Sequence, residues 1–158
     1  MNRAHQRSGQ RGHAMLELAI SAAVMVSCLG GTVQFGYTFY LYNELVSAVG
    51  NGGRYAAMRT YRDASQSDLE KGKTAIRNMV VYGDARPAPD AVAQVANLRP
   101  EQIKVDWVMD ESGQRPAYVD VSIGDYTVDA VFGIFRFIGR PAVEYPFVGR
   151  FAPGESER

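Results

Sequence analysis

The chain separates by pattern into one long uncharged apolar run and a remainder in which apolar residues recur at regular intervals. From Leu18 to Asn43 there are 26 residues without a charge, LAISAAVMVSCLGGTVQFGYTFYLYN. As a helix this run is about 39 Å long, and a bilayer core is about 30 Å thick, so it crosses with tilt to spare. Beyond it, Leu45, Val46, Val49, Tyr55 and Ala56 keep a helical spacing. This predicts that the helix continues to about Tyr61, with a bend at the glycines of Gly50-Asn51-Gly52-Gly53. Residues 63–68 are polar and read as a loop. Ser67-Asp68-Leu69-Glu70 has capping-box form, and Leu69, Ile76, Met79, Val80 and Tyr82 repeat with a period near 3.6. A second helix is therefore expected over 68–82, with Gly83 as its stop. Residues 83–91, rich in proline and glycine, read as a linker, and 92–99 show no pattern.

The pattern then changes to a period of two. Ile103, Val105, Trp107 and Met109 alternate with Lys104, Asp106 and Val108, which predicts a strand with one buried face. Asp110 to Gln114 carry turn chemistry. Val119, Val121 and Ile123 alternate with Tyr118, Asp120 and Ser122 as the partner strand of a hairpin. Val131 to Ile138 fits helix or strand; a short helix packed on the sheet or on the bilayer surface is the favoured reading. Val143, Tyr145 and Phe147 suggest a last strand, and the PGESER tail has nothing to pack with. The expected class is α+β: a long N-terminal transmembrane helix continuing into a small domain with a second helix and a short antiparallel sheet.

Charge orients the apolar run. The 17 basic and 17 acidic residues cancel, which argues against a general nucleic-acid binder. Yet Arg3, Arg7 and Arg11 precede the first acidic residue, Glu17. Tyr37, Tyr40 and Tyr42 collect at the opposite end, where amphipathic rings favour a membrane interface. Basic residues before a membrane helix place the N-terminus in the cytoplasm and the larger C-terminal part outside it. A cleaved secretory signal is the competing reading, with Val46-Ser47-Ala48 as its site, but a signal's apolar region spans about 7–15 residues. A buried soluble helix would need a larger core than about 100 remaining residues supply. Gly30, Gly31 and Gly36 weaken a soluble helix, whereas in lipid small residues allow close helix packing. The single cysteine, Cys28, forms no intrachain disulfide and reads as a small apolar helix residue.

The junction is the most informative stretch. Gly12 ends the basic leader, and Glu17 lies five positions on, at the start of the apolar run. A carboxylate here gains only about 0.3–1 kcal/mol from the helix dipole and costs up to about 2.5–3.5 kcal/mol if drawn to the bilayer centre. Its plain reading is an interfacial carboxylate that reaches for the headgroups. The arrangement resembles the processing site of type IV prepilins. Together with Glu17-Leu18, Phe35-Gly36-Tyr37 and Gly53-Arg54-Tyr55-Ala56-Ala57, it resembles the TadE-like family of tight-adherence pilus proteins over roughly residues 8–58. The glycine-rich 50–53 stretch departs from the family's alanine-rich version. The resemblance implies a membrane-embedded prepilin peptidase cutting between Gly12 and His13. It also implies an assembly role for Glu17, whose carboxylate meets the N-terminal amine of a neighbouring subunit. Gly30, Gly31 and Gly36 would serve helix packing, with Phe35, Gly36, Arg54 and Tyr55 as family-motif positions. The implied organisation is a leader over 1–12, a transmembrane and extended helix over 13–62, and an extracytoplasmic α+β domain over 63–158. The implied partners are other pilin-type subunits, the assembly machinery, the peptidase and membrane lipid, at the inner membrane or in a pilus.

Catalytic constellations are not apparent. His5 and His13 are the only histidines, which leaves the distal region without a Ser-His-Asp or Cys-His system, and no phosphate-binding or dinucleotide motif occurs. No cofactor, metal, nucleic acid or small-molecule substrate is implied. Asp106, Asp110, Glu111, Asp120, Asp125 and Asp129 lack the order of a calcium loop and read as solvated strand faces. Arg54, Arg59 and Arg62 could meet lipid headgroups, a neighbour or only water. The expectation is a pilus subunit. The alternatives are an uncut, membrane-anchored extracytoplasmic binding domain and, least favoured, a hydrolase.

Overall fold

A computed structural model describes residues 4–60, 66–111, 116–130 and 133–150, with side chains over 12–60, 68–111, 116–129 and 133–150. The expected 63–68 loop, the tip of the 110–114 turn, Arg62 and the PGESER tail lie outside the described residues in whole or in part.

The chain is α+β. Helix α1 runs from Ala4 to Met58 and α2 from Gln66 to Tyr82. A short 3-10 turn, Pro100–Gln102, leads into five strands: β1 (Ile103–Met109), β2 (Pro116–Ile123), β3 (Asp125–Ala130), β4 (Gly133–Ile138) and β5 (Ala142–Pro146). The order β1-β2-β5 forms one antiparallel sheet, and β3-β4 forms a separate two-stranded hairpin.

The α1 helix is continuous through Gly50–Gly53, and two of these glycines, Gly52 and Gly53, serve close contact with other elements. A Cβ on Gly52 would strike the Val80 side chain of α2, and one on Gly53 would lie 2.7 Å from the Tyr145 ring and 2.9 Å from Val143 of β5. Glycine lets α1 approach both elements closely. The helix ends at Met58, short of Tyr61, where the Ala57 carbonyl accepts hydrogen bonds from Val148 N–H (3.0 Å) and Gly149 N–H (2.9 Å). The chain after β5 thus satisfies a carbonyl that a helix terminus leaves open.

Helix α2 starts at Gln66, so Ser67 lies in its first turn and not at its cap. It stops where the sequence predicts. Gly83 takes φ +74°, and its N–H bonds the Met79 carbonyl at 3.0 Å, closing an αL motif. Ile76, Val80 and Val81 are buried. They meet Leu45, Val49 and Ala56 of α1, together with Ile103, Val105, Val119, Val121 and Ile123 of the sheet, in a single core. The two helices therefore cover one face of the sheet. Along β2 the alternation is as expected, with Val119, Val121 and Ile123 fully buried. Along β1 it fails at the end: Trp107 is half-buried and Met109 is exposed, where the β1–β2 register shifts between Val108 and Met109.

The segment 131–138 corrects the favoured reading. Residues 133–138 are a strand, β4, paired with a β3 that the sequence pattern did not announce. The alternation is weak because the hairpin buries one side only in part. Tyr126 and Val128 of β3 are buried, Phe135 and Phe137 of β4 are half-buried, and Ile134 and Ile138 point the other way and are exposed. The Tyr126 hydroxyl donates to the Ala96 carbonyl at 2.7 Å, tying the hairpin to the loop before the sheet.

Candidate functional site

The candidate site is the half of α1 that its own fold leaves uncovered. From Gly12 to Leu29 every side chain is exposed, and the first buried one is Gln34. Met15, Leu16, Leu18, Ile20, Val24 and Met25 are all more than half exposed. In the second half of α1, burial recurs at Leu41, Leu45, Ala48, Val49, Gly52, Gly53, Ala56 and Ala57, a stripe of helical period facing the core. One helix thus carries two surfaces: an all-round apolar cylinder, then an amphipathic stem. An apolar cylinder of this length with no face buried suits a bilayer or a bundle of like helices. The stretch Gly12–Met58 is apolar and long enough to cross a membrane, and none of its most apolar window is buried.

Gly12 sits in exposed helix, and a Cβ there would meet nothing within 4 Å. The fold of this chain therefore gives no reason for a glycine at that position, in contrast to Gly52 and Gly53. His13 and Glu17 are exposed, four residues apart and so on one face of the helix, separated by about 6 Å of rise. Among the described residues Glu17 has no hydrogen bond or ion pair. A Cβ on Gly31 or Gly36 would also meet open space. Gly30 lines a cleft of about 490 Å³ between α1 and Asp129 of the hairpin. Phe35 is exposed on the cylinder.

At the far end of the helix the two motif residues part. Arg54 is exposed, while Tyr55 is half-buried and accepts a 2.9 Å hydrogen bond from Arg59 Nη1. The same guanidinium stands 5.9 Å from the Tyr55 ring centre. Of Arg54 and Arg59, Arg59 is thus the more engaged, which spacing alone did not single out. Tyr55 and Arg59 line a second cleft with Glu70, Lys71, Thr74 and Arg86, of about 570 Å³.

The acidic residues divide. Asp106 of β1, Asp120 of β2 and Glu144 of β5 stand directly opposite one another across the outer sheet face. Asp125 instead pairs with Arg136 across the hairpin, at 3.0 and 2.6 Å. That hydrogen-bonded pairing holds the Asp125 carboxyl below the usual carboxylate range and raises the Arg136 guanidinium. Burial raises the Tyr126 phenol, and the nearby Tyr37 adds to the effect. Among the described residues no group of side chains is arranged to hold a metal ion.

Among the described residues, one uncovered apolar helix, long enough to cross a membrane, is continuous with a small α+β head through a glycine-lined packing seam. Residues 12–54, about a quarter of the chain, match the family model of TadE-like protein. The matched segment begins at the junction glycine and ends at Arg54, so it holds Glu17, Phe35 and Gly36 and stops one residue short of Tyr55. Comparison with curated proteins and with solved structures gives no match.

Proposed function

We propose that the protein is a minor pilin or pseudopilin that takes part in assembly of a tight-adherence pilus. It is held in the inner membrane by α1 with its N-terminus in the cytoplasm and its α+β domain outside. A prepilin peptidase cuts between Gly12 and His13. The new amine of one subunit then meets Glu17 of a neighbour, two opposite charges whose attraction is strong in a low-dielectric setting and whose separate desolvation is costly. Its work is association with other subunits and with the assembly machinery, without catalysis.

The observation that carries this reading is the uncovered half-helix lying within the segment that matches the TadE-like model. The open space around Gly12 supports a role for that glycine outside the fold, and the unpartnered Glu17 supports a partner from another chain. The deciding measurement is the intact mass of protein recovered from its native host, wild type against Gly12→Ala. The expected wild-type chain starts at His13, and the variant keeps Met1. A wild-type chain that still starts at Met1 refutes processing and leaves an uncut membrane-anchored domain. Glu17→Ala should be cut normally yet be recovered with sheared pili in lower amount; equal recovery would remove the carboxylate from assembly.

A further inference from the structure

Composition alone would place all of 18–43 in hydrocarbon, but the structure puts a strand pair beside the outer part of that run. The Tyr42 ring lies 5.6 Å from Phe137 of β4. Asp129, near the other end of the hairpin, shares a cleft with Val26, Leu29, Val33, Gln34 and Tyr37. The levels agree. From Phe137 to Ile134 is about 10 Å of strand, which equals about seven residues of helix and leads from Tyr42 down to about Phe35. The Asp129–Ile134 end of the hairpin therefore stands alongside the outer part of the uncharged run.

Such a structure does not enter hydrocarbon. Among the described residues the hairpin is a two-stranded sheet with no third strand on either outer edge, and unsatisfied backbone groups cost several kcal/mol apiece in lipid. Asp129 adds an exposed carboxylate at that level. The helix itself marks the same level, since its first buried side chain, Gln34 at 5% exposure, lines the cleft with Asp129. From His13 to Gly30 is about 27 Å of helix, close to the roughly 30 Å that a bilayer core requires.

We propose that the Asp129–Ile134 rung of the β3–β4 hairpin rests on the headgroup layer of the bilayer and sets the depth of insertion. Hydrocarbon then holds about residues 13–30, while 34–43 stand outside it beneath the domain although they carry no charge. Among the described residues of this rung, Ile134, which is 71% exposed and directly across from Asp129, is the apolar side chain that touches lipid. The partner is a phospholipid surface. The inference deepens the membrane reading above and depends on α1 being inserted.

The test uses full-length protein in vesicles of phosphatidylethanolamine and phosphatidylglycerol, with Cys28→Ser as background. Single cysteines replace Val24, Phe39 and Val92, which are exposed in the fold at 57%, 65% and 85%. A charged, water-soluble maleimide is supplied to both sides of the membrane. Phe39→Cys should label at a rate close to that of Val92→Cys, and Val24→Cys about tenfold slower or more, as hydrocarbon excludes the reagent. If Phe39→Cys is shielded as well as Val24→Cys, the depth assignment is overturned while insertion stands. If Val24→Cys labels as fast as Val92→Cys, insertion itself fails. A fluorophore on Ile134→Cys should be quenched by headgroup-labelled lipid more strongly than by lipid labelled at mid-chain. Stronger mid-chain quenching, or none from either, overturns the hairpin contact.

Discussion

Gly52→Ala set beside Gly50→Ala isolates the seam that joins the membrane helix to the head. Both positions lie inside α1, so each alanine gains about the same helix propensity, roughly 1 kcal/mol. A Cβ on Gly50 meets nothing within 4 Å, whereas one on Gly52 collides with the Val80 methyl. Val80 is fully buried and β-branched on α2, so it has little rotamer freedom with which to withdraw. Overpacking of this kind costs about 1–3 kcal/mol. Gly50→Ala should therefore stabilise by up to about 1 kcal/mol, and Gly52→Ala should fall from neutral to about 2 kcal/mol destabilising once the propensity gain is subtracted. The difference between the two, about 1–3 kcal/mol, is the packing term alone. Trp107 is the only tryptophan and lies half-buried on β1 with Lys73 Nζ 5.6 Å from its ring centre. Its fluorescence during denaturant unfolding in detergent reports the head directly. Equal stabilisation by the two alanines would show that α1 and α2 are not in close contact at Gly52, and the seam would be wrong.

Leu45 is fully buried where α1 enters the core, and Val46 beside it is exposed. Leu45→Ala should lower the stability of the head by about 2–5 kcal/mol, while Val46→Ala should change it by no more than about 0.5 kcal/mol; similar losses in the same unfolding assay would contradict the stripe. The Asp125–Arg136 pair gives a pH signature. Because the folded-state Asp125 carboxyl titrates below its ordinary value of 3.8, its contribution is complete above that value and disappears as pH falls through the lower folded one. Wild-type stability should then drop more steeply under acid than that of Asp125→Asn, and parallel pH profiles would show that the pair does not form in solution. Both groups are well exposed, so the contribution is small and sensitive to salt.

Much of the molecule was legible from spacing. An uncharged run of this length, a 3.6-residue period ended by Gly83 and the period-two runs at 103–109 and 118–123 are local signals, and each produced the element expected. The proposed junction residues Gly12 and Glu17 are a different case: no contact among the described residues requires either, so their role rests on the proposal and not on the fold. The hairpin was not legible. Its strands pair only with each other, bury one side in part and leave Ile134 and Ile138 exposed on the other, so hydrophobic alternation cancels in the sequence.

The sequence by itself determined that one helix is too apolar to face water and that a small α+β unit follows it, because both properties are carried by neighbouring residues along the chain. Only the tertiary structure decided where that helix stops being surface and becomes core. The change at Gln34 depends on which distant strands lie beside it, and the glycines at 52 and 53 acquire their meaning from Val80, Val143 and Tyr145 across the seam. Close contact between elements far apart in the chain depends on the shape of both surfaces at once, and no single stretch of sequence contains that information.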